Sequence, residues 1–497
     1  MSSERRARVL VAAVVTAAAC ASSGPGPKPP TFSDGGLVAR SKAPPNPWSF
    51  QNALEGVYDT TSRFGANVVI HASQWGASDE GVKASVSILA ADHFAFAVMQ
   101  PGCFLDTSGA TPITRLVLEG YWRYLDDPDP SPSTTGLVRL FVSPQEIVDY
   151  VCNAPPWDKT APPGDPRPAP AAHATLTGGT GQGNDDPGAP LSVTWVRPRK
   201  SRLAADGKPS FFVGVHHGGC VSTDNCGVSE NTPETAILAT QLGGDYLELD
   251  IHLTKDEIPV VFHLGLSPAA SQGVYCKGQI EDSTYSELLA NCRLPNGEVI
   301  PRVDETLEIV FTRTDFPVYL DSKSPDVIVP VSQILGQLQQ KLVACNPRPA
   351  NVANDAPWPP PGKKCLFPGS GPVFQRGVIG LPADDYVAAY RQASAAGQLA
   401  PNQHCLVEVN VADATGVPCV AWMPRYTRGP MESDVAMLQQ QGLFVGFWTI
   451  NDPATIDTFL VTAHPNGILT NYLGLLNQRF EAVGVAPSIS PYKVVTP

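Results

Sequence analysis

From residue 211 onward, short apolar runs with the look of strands alternate with stretches of helical periodicity, and this constrains the fold more than any other feature of the chain. The runs fall at 211–215, 246–251, 260–263, 318–321, 377–380, 419–423, 444–449 and 467–470. A parallel sheet needs a long crossover between successive strands, usually a helix, and its strands are buried on both faces. Eight such runs within residues 193–497 predict an α/β fold, a (β/α)8 TIM barrel. In that architecture the residues that do chemistry gather where the strands end.

The upstream part of the chain has a different texture. Runs at 66–71, 84–89, 94–100, 114–122 and 136–142 alternate apolar and polar residues, with Gly, Pro and Asp between them. They predict a small all-β domain of unknown role over residues 46–154. Tyr121, Trp122 and Tyr124 are read as its core rather than as a binding face. Residues 155–192 are rich in Pro, Gly and Ala and are read as a linker, because they offer little to offset the entropy of ordering.

Residues 1–20 resemble an export signal. Arg5, Arg6 and Arg8 precede an apolar run at 9–19, about 11 residues against the roughly 20 that span a bilayer as a helix. The run ends Ala17-Ala18-Ala19-Cys20, similar to a bacterial lipobox, and residues 21–45 would then be a tether. The chain is expected to be secreted or held in the cell envelope, with membrane association through a lipid on Cys20. An ordinary signal peptide cleaved near Ala19 is the alternative. Of 11 cysteines, Cys20 stands apart and ten fall into close neighbours: Cys103/Cys152, Cys220/Cys226, Cys276/Cys292, Cys345/Cys365 and Cys405/Cys419. Five disulfides in an oxidising compartment are expected. No CxxC or HxxxH spacing supports zinc instead.

Residues 246–253 carry the strongest chemical signal. Glu248, Asp250 and His252 share one side of a strand whose other side is Leu247, Leu249, Ile251 and Leu253. Two carboxylates on a buried face are costly unless they are paired or hold a cation. Hard oxygen ligands suit Ca²⁺ or Mg²⁺. An exposed edge strand would be the bland alternative, but further polar residues end other strands: His216 and His217 after the first, His263 after the third, Asp321 and Lys323 after the fourth. The net charge of −13 argues against nucleic acid, which is held through Lys and Arg.

The blocks HHGG, SENTPET and LGGDYLELDIHLTKDEIPVVFH, followed by IPRVDETL, FWTIND and GILTN, resemble in content and order the signature of the glycerophosphodiester phosphodiesterase family, within the phosphatidylinositol phosphodiesterase-like barrel superfamily. The resemblance runs from about Phe211 to Leu476 and implies a phosphoric diester hydrolase that splits glycerophosphodiesters into an alcohol and glycerol phosphate. It implies metal ligands at Glu248, Asp250 and Asp321, an acid–base pair at His216 and His263, and substrate contacts at His217, Glu230, Lys323 and Trp448. Three positions depart from the family. Its Arg after the first His is His217, its Asp after His263 is Leu264, and its third acid, usually Glu, is Asp321. The Asp321-x-Lys323 spacing is reminiscent of the sphingomyelinase-D-like branch, whose products are cyclic phosphates. A phospholipase of C or D type acting on intact phospholipid, and a non-catalytic binding lipoprotein, are the competing readings.

Overall fold

The computed structural model describes residues 37–39 and 46–484, apart from 63, 76–81, 91–94, 125–133, 158–163, 184–186, 204–209, 219–227, 264–265, 267–275, 295–296, 346–347, 351, 353–356 and 418. The export signal, Cys20 and Cys220/Cys226 lie outside the described residues.

The N-terminal domain is larger than expected and closes on itself. Strands β1 (Leu37–Ala39), β2 (Gly56–Ser62), β3 (Gly65–Trp75), β4 (Lys83–Ala90), β5 (Ala95–Asp106), β6 (Ile113–Tyr124), β7 (Thr135–Ser143), β8 (Thr175–Thr180) and β9 (Ala189–Arg197) form one antiparallel sheet. From β2 to β9 each strand pairs with the next, and β9 returns to β2, so these strands form an up-and-down barrel, with β1 added on β5. Two helices, Pro47–Leu54 and Gln145–Cys152, bury Phe50, Leu54, Ile147, Val148 and Val151 among the strands' inward residues. The domain is therefore not purely β. Trp122 is wholly buried there, as its core reading requires.

The expected linker is corrected by β8 and β9. Residues 155–192 supply β8 and the start of β9, the strands that close this barrel, and the boundary expected at 192/193 cuts through β9. The strand Thr175–Thr180 (TLTGGT) has no apolar alternation to reveal it. A Cβ on Gly178 would lie 2.1 Å from the carbonyl oxygen of Arg139, so the glycine marks close approach of a neighbouring strand rather than a loose loop.

The C-terminal domain is the expected barrel. Strands β10 (Phe212–Val215), β11 (Tyr246–Leu253), β13 (Val318–Ser322), β16 (Gly377–Leu381), β17 (His404–Val407), β18 (Cys419–Trp422), β19 (Phe444–Phe447) and β20 (Gly467–Thr470) are parallel neighbours, and β20 closes on β10. One assignment changes. The run expected as the third barrel strand is β12 (Pro259–Val261), which pairs antiparallel with β11 outside the ring. Its place is made up by β17, a four-residue strand not among the expected runs. A small parallel pair, β14 (Leu342–Val343) and β15 (Lys364–Cys365), lies apart. The barrel is filled by Tyr246, Tyr319, Leu406, Met423 and Leu469, while Leu247, Leu249, Ile251 and Leu320 pack outward against the helices.

The two domains share a face. β3 and β4 send Val68, Ile70, Ile88 and Ala90 into their own barrel, and Val69 and Leu89, with Phe96, into the core that includes Leu473, Leu476 and Phe480 of the last helix, Leu473–Val483. That accounts for a β4 buried along nearly its whole length. Beside this patch, Arg199 donates to Glu55 (2.7 Å), Glu481 (3.1 Å) and Asn477 (2.8 Å), and Arg197 donates to Glu481 (2.8 Å). Disulfides join Cys103–Cys152, Cys276–Cys292, Cys345–Cys365 and Cys405–Cys419, as the spacing predicts.

Candidate active site

The C-terminal mouth of the parallel barrel collects the polar residues singled out in the sequence. On β11, Glu248 and Asp250 share the inward side with Tyr246, and both carboxylates are buried. Asp321 ends β13 in register with Asp250. One oxygen from each of Glu248, Asp250 and Asp321 falls within a 4.8 Å cluster. Lys323 places its ammonium 2.6 Å from Asp250 and in direct contact with Asp321.

The three histidines form a stack across this cluster. His217 lies flat on His216 with ring centroids 3.7 Å apart, and on its other side meets His263 at 3.9 Å. His216 and His263 are thereby 6.5 Å apart. His216 Nδ1 is 2.7 Å from the side-chain oxygen of Asn471, which fixes the proton on Nδ1 and leaves Nε2 a free base. His217 adopts a left-handed backbone (φ 48°) and aims Nε2 at Asp250 (3.0 Å) and Glu248 (3.6 Å), with Nδ1 3.5 Å from Glu230. His263 reaches the mouth from the loop after β12, not from a barrel strand end, with Nδ1 3.9 Å from Glu230. His252, further along β11, is turned to Glu281 at 2.7 Å.

The electrostatics follow from burial and proximity. Burial and the neighbouring His217 push the His216 imidazole down to about 3. Burial also lowers His263. Burial would lower His217 too, but the carboxylates of Asp250 and Glu248 outweigh it and hold it well above its ordinary value. Glu248 is driven well up by burial and by Asp250, and Asp321 is raised by burial despite Lys323. Asp250 opposes its own burial through His217 and Lys323 and stays ionised. Two of the three acids therefore resist ionisation even with Lys323 and His217 beside them. A cluster of hard oxygens short of positive charge fits a divalent cation.

Several residues of the site escaped sequence reasoning. Asn231, in a left-handed conformation (φ 58°), donates to the Asp250 carboxylate at 2.8 Å and accepts from the Asp250 backbone N–H at 3.1 Å. It stands directly after Glu230 in the SENTPET block, which was the available signal. Asn471 likewise lies inside a quoted block. Tyr319 and Glu408 carried no signal: one reads as an apolar strand residue, and the other follows a strand that was not recognised. Trp448 packs at the edge of the barrel filling, donates to the Met423 carbonyl at 2.8 Å and carries the Arg425 guanidinium 4.8 Å from its ring.

Residues 217–324, which span His217, Glu230, the β11 acids, His263, Asp321 and Lys323, match the model of the glycerophosphoryl diester phosphodiesterase family. That segment belongs to this family. Over 36 residues the chain is 56% identical to the glycerophosphocholine phosphodiesterase GDE1 of Eremothecium gossypii and 53% to that of Candida albicans; this is 7% of this chain and 3% of each relative's length. Among solved structures, a glycerophosphodiester phosphodiesterase from Parabacteroides distasonis aligns with TM-score 0.40 and 17% identity, covering 56% of this chain and 98% of its own. An Oleispira antarctica phosphodiesterase in complex with sn-glycerol-3-phosphate aligns with TM-score 0.39 and 17% identity, covering 54% and 96%.

Proposed function

We propose that the chain is a phosphoric diester hydrolase that splits glycerophosphodiesters into an alcohol and glycerol phosphate. The observation that carries this reading is the pairing of two proton carriers, His216 and His263, on either side of His217 and beside a buried acid cluster in the mouth of one barrel. A binding protein has no use for both. His216, neutral and with Nδ1 tied to Asn471, is suited to take a proton through Nε2. His263, 3.9 Å from Glu230 and partly open to solvent, would give one to the leaving alcohol oxygen once it has taken up a proton, against the lowering by burial.

Glu248, Asp250 and Asp321 would hold Ca²⁺ or Mg²⁺, which supplies charge neutralisation and polarisation of the phosphorus when bound. Lys323 and His217 lie beside these acids, where a phosphate oxygen bound to them would meet both cations. Trp448 would wall the leaving-group side. The export signal and the lipobox-like end at Cys20 favour a secreted or lipid-anchored enzyme, working where diesters are released from phospholipid.

The test is turnover of soluble glycerophosphodiesters by the full chain, with and without chelator. His216→Ala and His263→Ala should each lose at least about 100-fold in rate, and Glu248→Gln should abolish activity while the fold is retained. Unimpaired turnover after exhaustive chelation would remove the metal from this scheme. Near-normal rates in either histidine variant would remove the acid–base pair.

A further inference from the structure

Glu408 follows β17 directly, points inward with Leu406 and is buried in the barrel mouth. Its carboxylate contacts the hydroxyl of Tyr319, and the same hydroxyl lies 3.2 Å from Asp321 Oδ1. Tyr319 is itself buried, and its ring lies where a Cβ on Gly380 would be, 2.1 Å from that position, so the absence of a side chain at 380 is what admits it. The hydroxyl is thus fixed between two carboxylates of which, among the described residues, Asp321 alone has a cation in contact, Lys323.

A tyrosine hydroxyl carries a single proton and can donate to one acceptor only. Two ionised carboxylates around it would leave one of them buried without a proton to accept, which is unfavourable. Both contacts are satisfied when Glu408 keeps its own proton, gives it to the Tyr319 oxygen, and Tyr319 gives its proton to Asp321. Burial and the charge of Asp250 push Glu408 up to about 8, which agrees with this order. The result is a directed chain that holds Asp321 Oδ1 in place, while Oδ2 faces Lys323 and the acid cluster.

We infer that Glu408 is a positioning residue, acting through Tyr319 to orient the Asp321 carboxylate as a metal ligand. This rests on the metal-site reading above. Outer partners of metal ligands are commonly worth ten- to a hundred-fold in affinity. Of the three acids in the cluster, Asp321 is the one this chain touches, on Oδ1 with Lys323 on Oδ2, whereas Asp250 is held by Asn231 and Glu248 by the His217 backbone N–H.

The experiment is calorimetric titration of Mg²⁺, and separately of Ca²⁺, into the full chain without substrate, on wild type, Glu408→Leu, Glu408→Gln, Tyr319→Phe and the double variant Tyr319→Phe/Glu408→Leu. Glu408→Leu and Tyr319→Phe should each weaken cation binding by about ten-fold or more. Glu408→Gln, whose amide still donates to Tyr319, should bind as wild type. The double variant should be no worse than Tyr319→Phe alone, because both act through one contact. Tyr319→Phe carries the test if Glu408→Leu does not fold. Wild-type binding left unchanged in Tyr319→Phe, or additive losses in the double variant, overturns the positioning role alone. No cation binding by wild type overturns it together with the metal reading, and leaves the phosphodiesterase assay to stand or fall by itself.

Discussion

The imidazole of His217 lies stacked on that of His216, 3.7 Å between centroids, and fills the space between the two proposed proton carriers. Its nearest acid is Asp250, at 3.0 Å. A residue that the family resemblance assigns to phosphate contact is thereby also a counter-charge for the acid cluster.

His217→Ala should expose that second role. Removing one partner of a buried ion pair typically costs about 3–5 kcal/mol, because the other charge is left without compensation. The variant should melt well below wild type in chelator. Saturating Mg²⁺ or Ca²⁺ should recover most of the loss, since a cation bound only by the folded state adds stability by mass action. Thermal unfolding with and without cation checks this, and an equal deficit in both conditions would falsify the counter-charge role.

The domain interface makes a pH prediction. Burial alone would raise the Glu55 carboxyl, but His71 and Arg199 outweigh it and hold the group at about 2, against an ordinary 4.5. A carboxyl depressed in the folded state contributes stability above its unfolded value, and that contribution drains away as pH falls toward its folded value. At neutral pH it amounts to at most about 3 kcal/mol. Arg199→Ala should therefore destabilise the chain most at neutral pH, with the gap to wild type closing below pH 4.5. Melting temperatures of both proteins over that range decide the matter, and a gap that widens in acid would contradict the assignment.

The same interface qualifies any truncation. A segment starting at residue 193 keeps only part of β9 and uncovers the apolar surface that Val69, Leu89 and Phe96 cover. It should aggregate or melt below the full chain on a thermal ramp. A soluble segment with the full-length melting temperature would show the two domains to be independent.

The sequence disclosed the barrel and most of its mouth because both leave local marks. The strict alternation of Tyr246–Leu253 places Glu248 and Asp250 together without any knowledge of long-range pairing. The first barrel's closure leaves no such mark. TLTGGT is a strand because Arg139 and Pro187 crowd its glycines, which only the assembled sheet displays. Residues 260–263 had the right apolar texture for a barrel strand, but direction is set by the partner, and β12 runs against β11. Glu408 and Tyr319 are 89 residues apart, and no pattern along the chain joins them.

The remaining prediction concerns the product. A hydroxyl of the substrate's own glycerol can attack phosphorus, since holding it in place replaces a bimolecular step. In the proposed scheme His216 would take its proton as the new O–P bond forms, and His263, protonated beforehand, would protonate the alcohol oxygen as the old P–O bond breaks. This leaves a cyclic ester, His216 protonated and His263 neutral. Each histidine then holds the proton state needed to reverse its role: His263 can accept a proton from water attacking phosphorus, while His216 returns its proton to the glycerol oxygen as the ring opens. The stacked arrangement leaves both side chains partly exposed at the mouth, so water can reach them after the alcohol has left. A linear phosphomonoester is therefore the expected end product, even though Asp321-x-Lys323 is reminiscent of enzymes that stop at the ring. Phosphorus NMR of a completed reaction distinguishes the two, and a cyclic-phosphate resonance that persists as the end product would place the enzyme with the ring-forming branch.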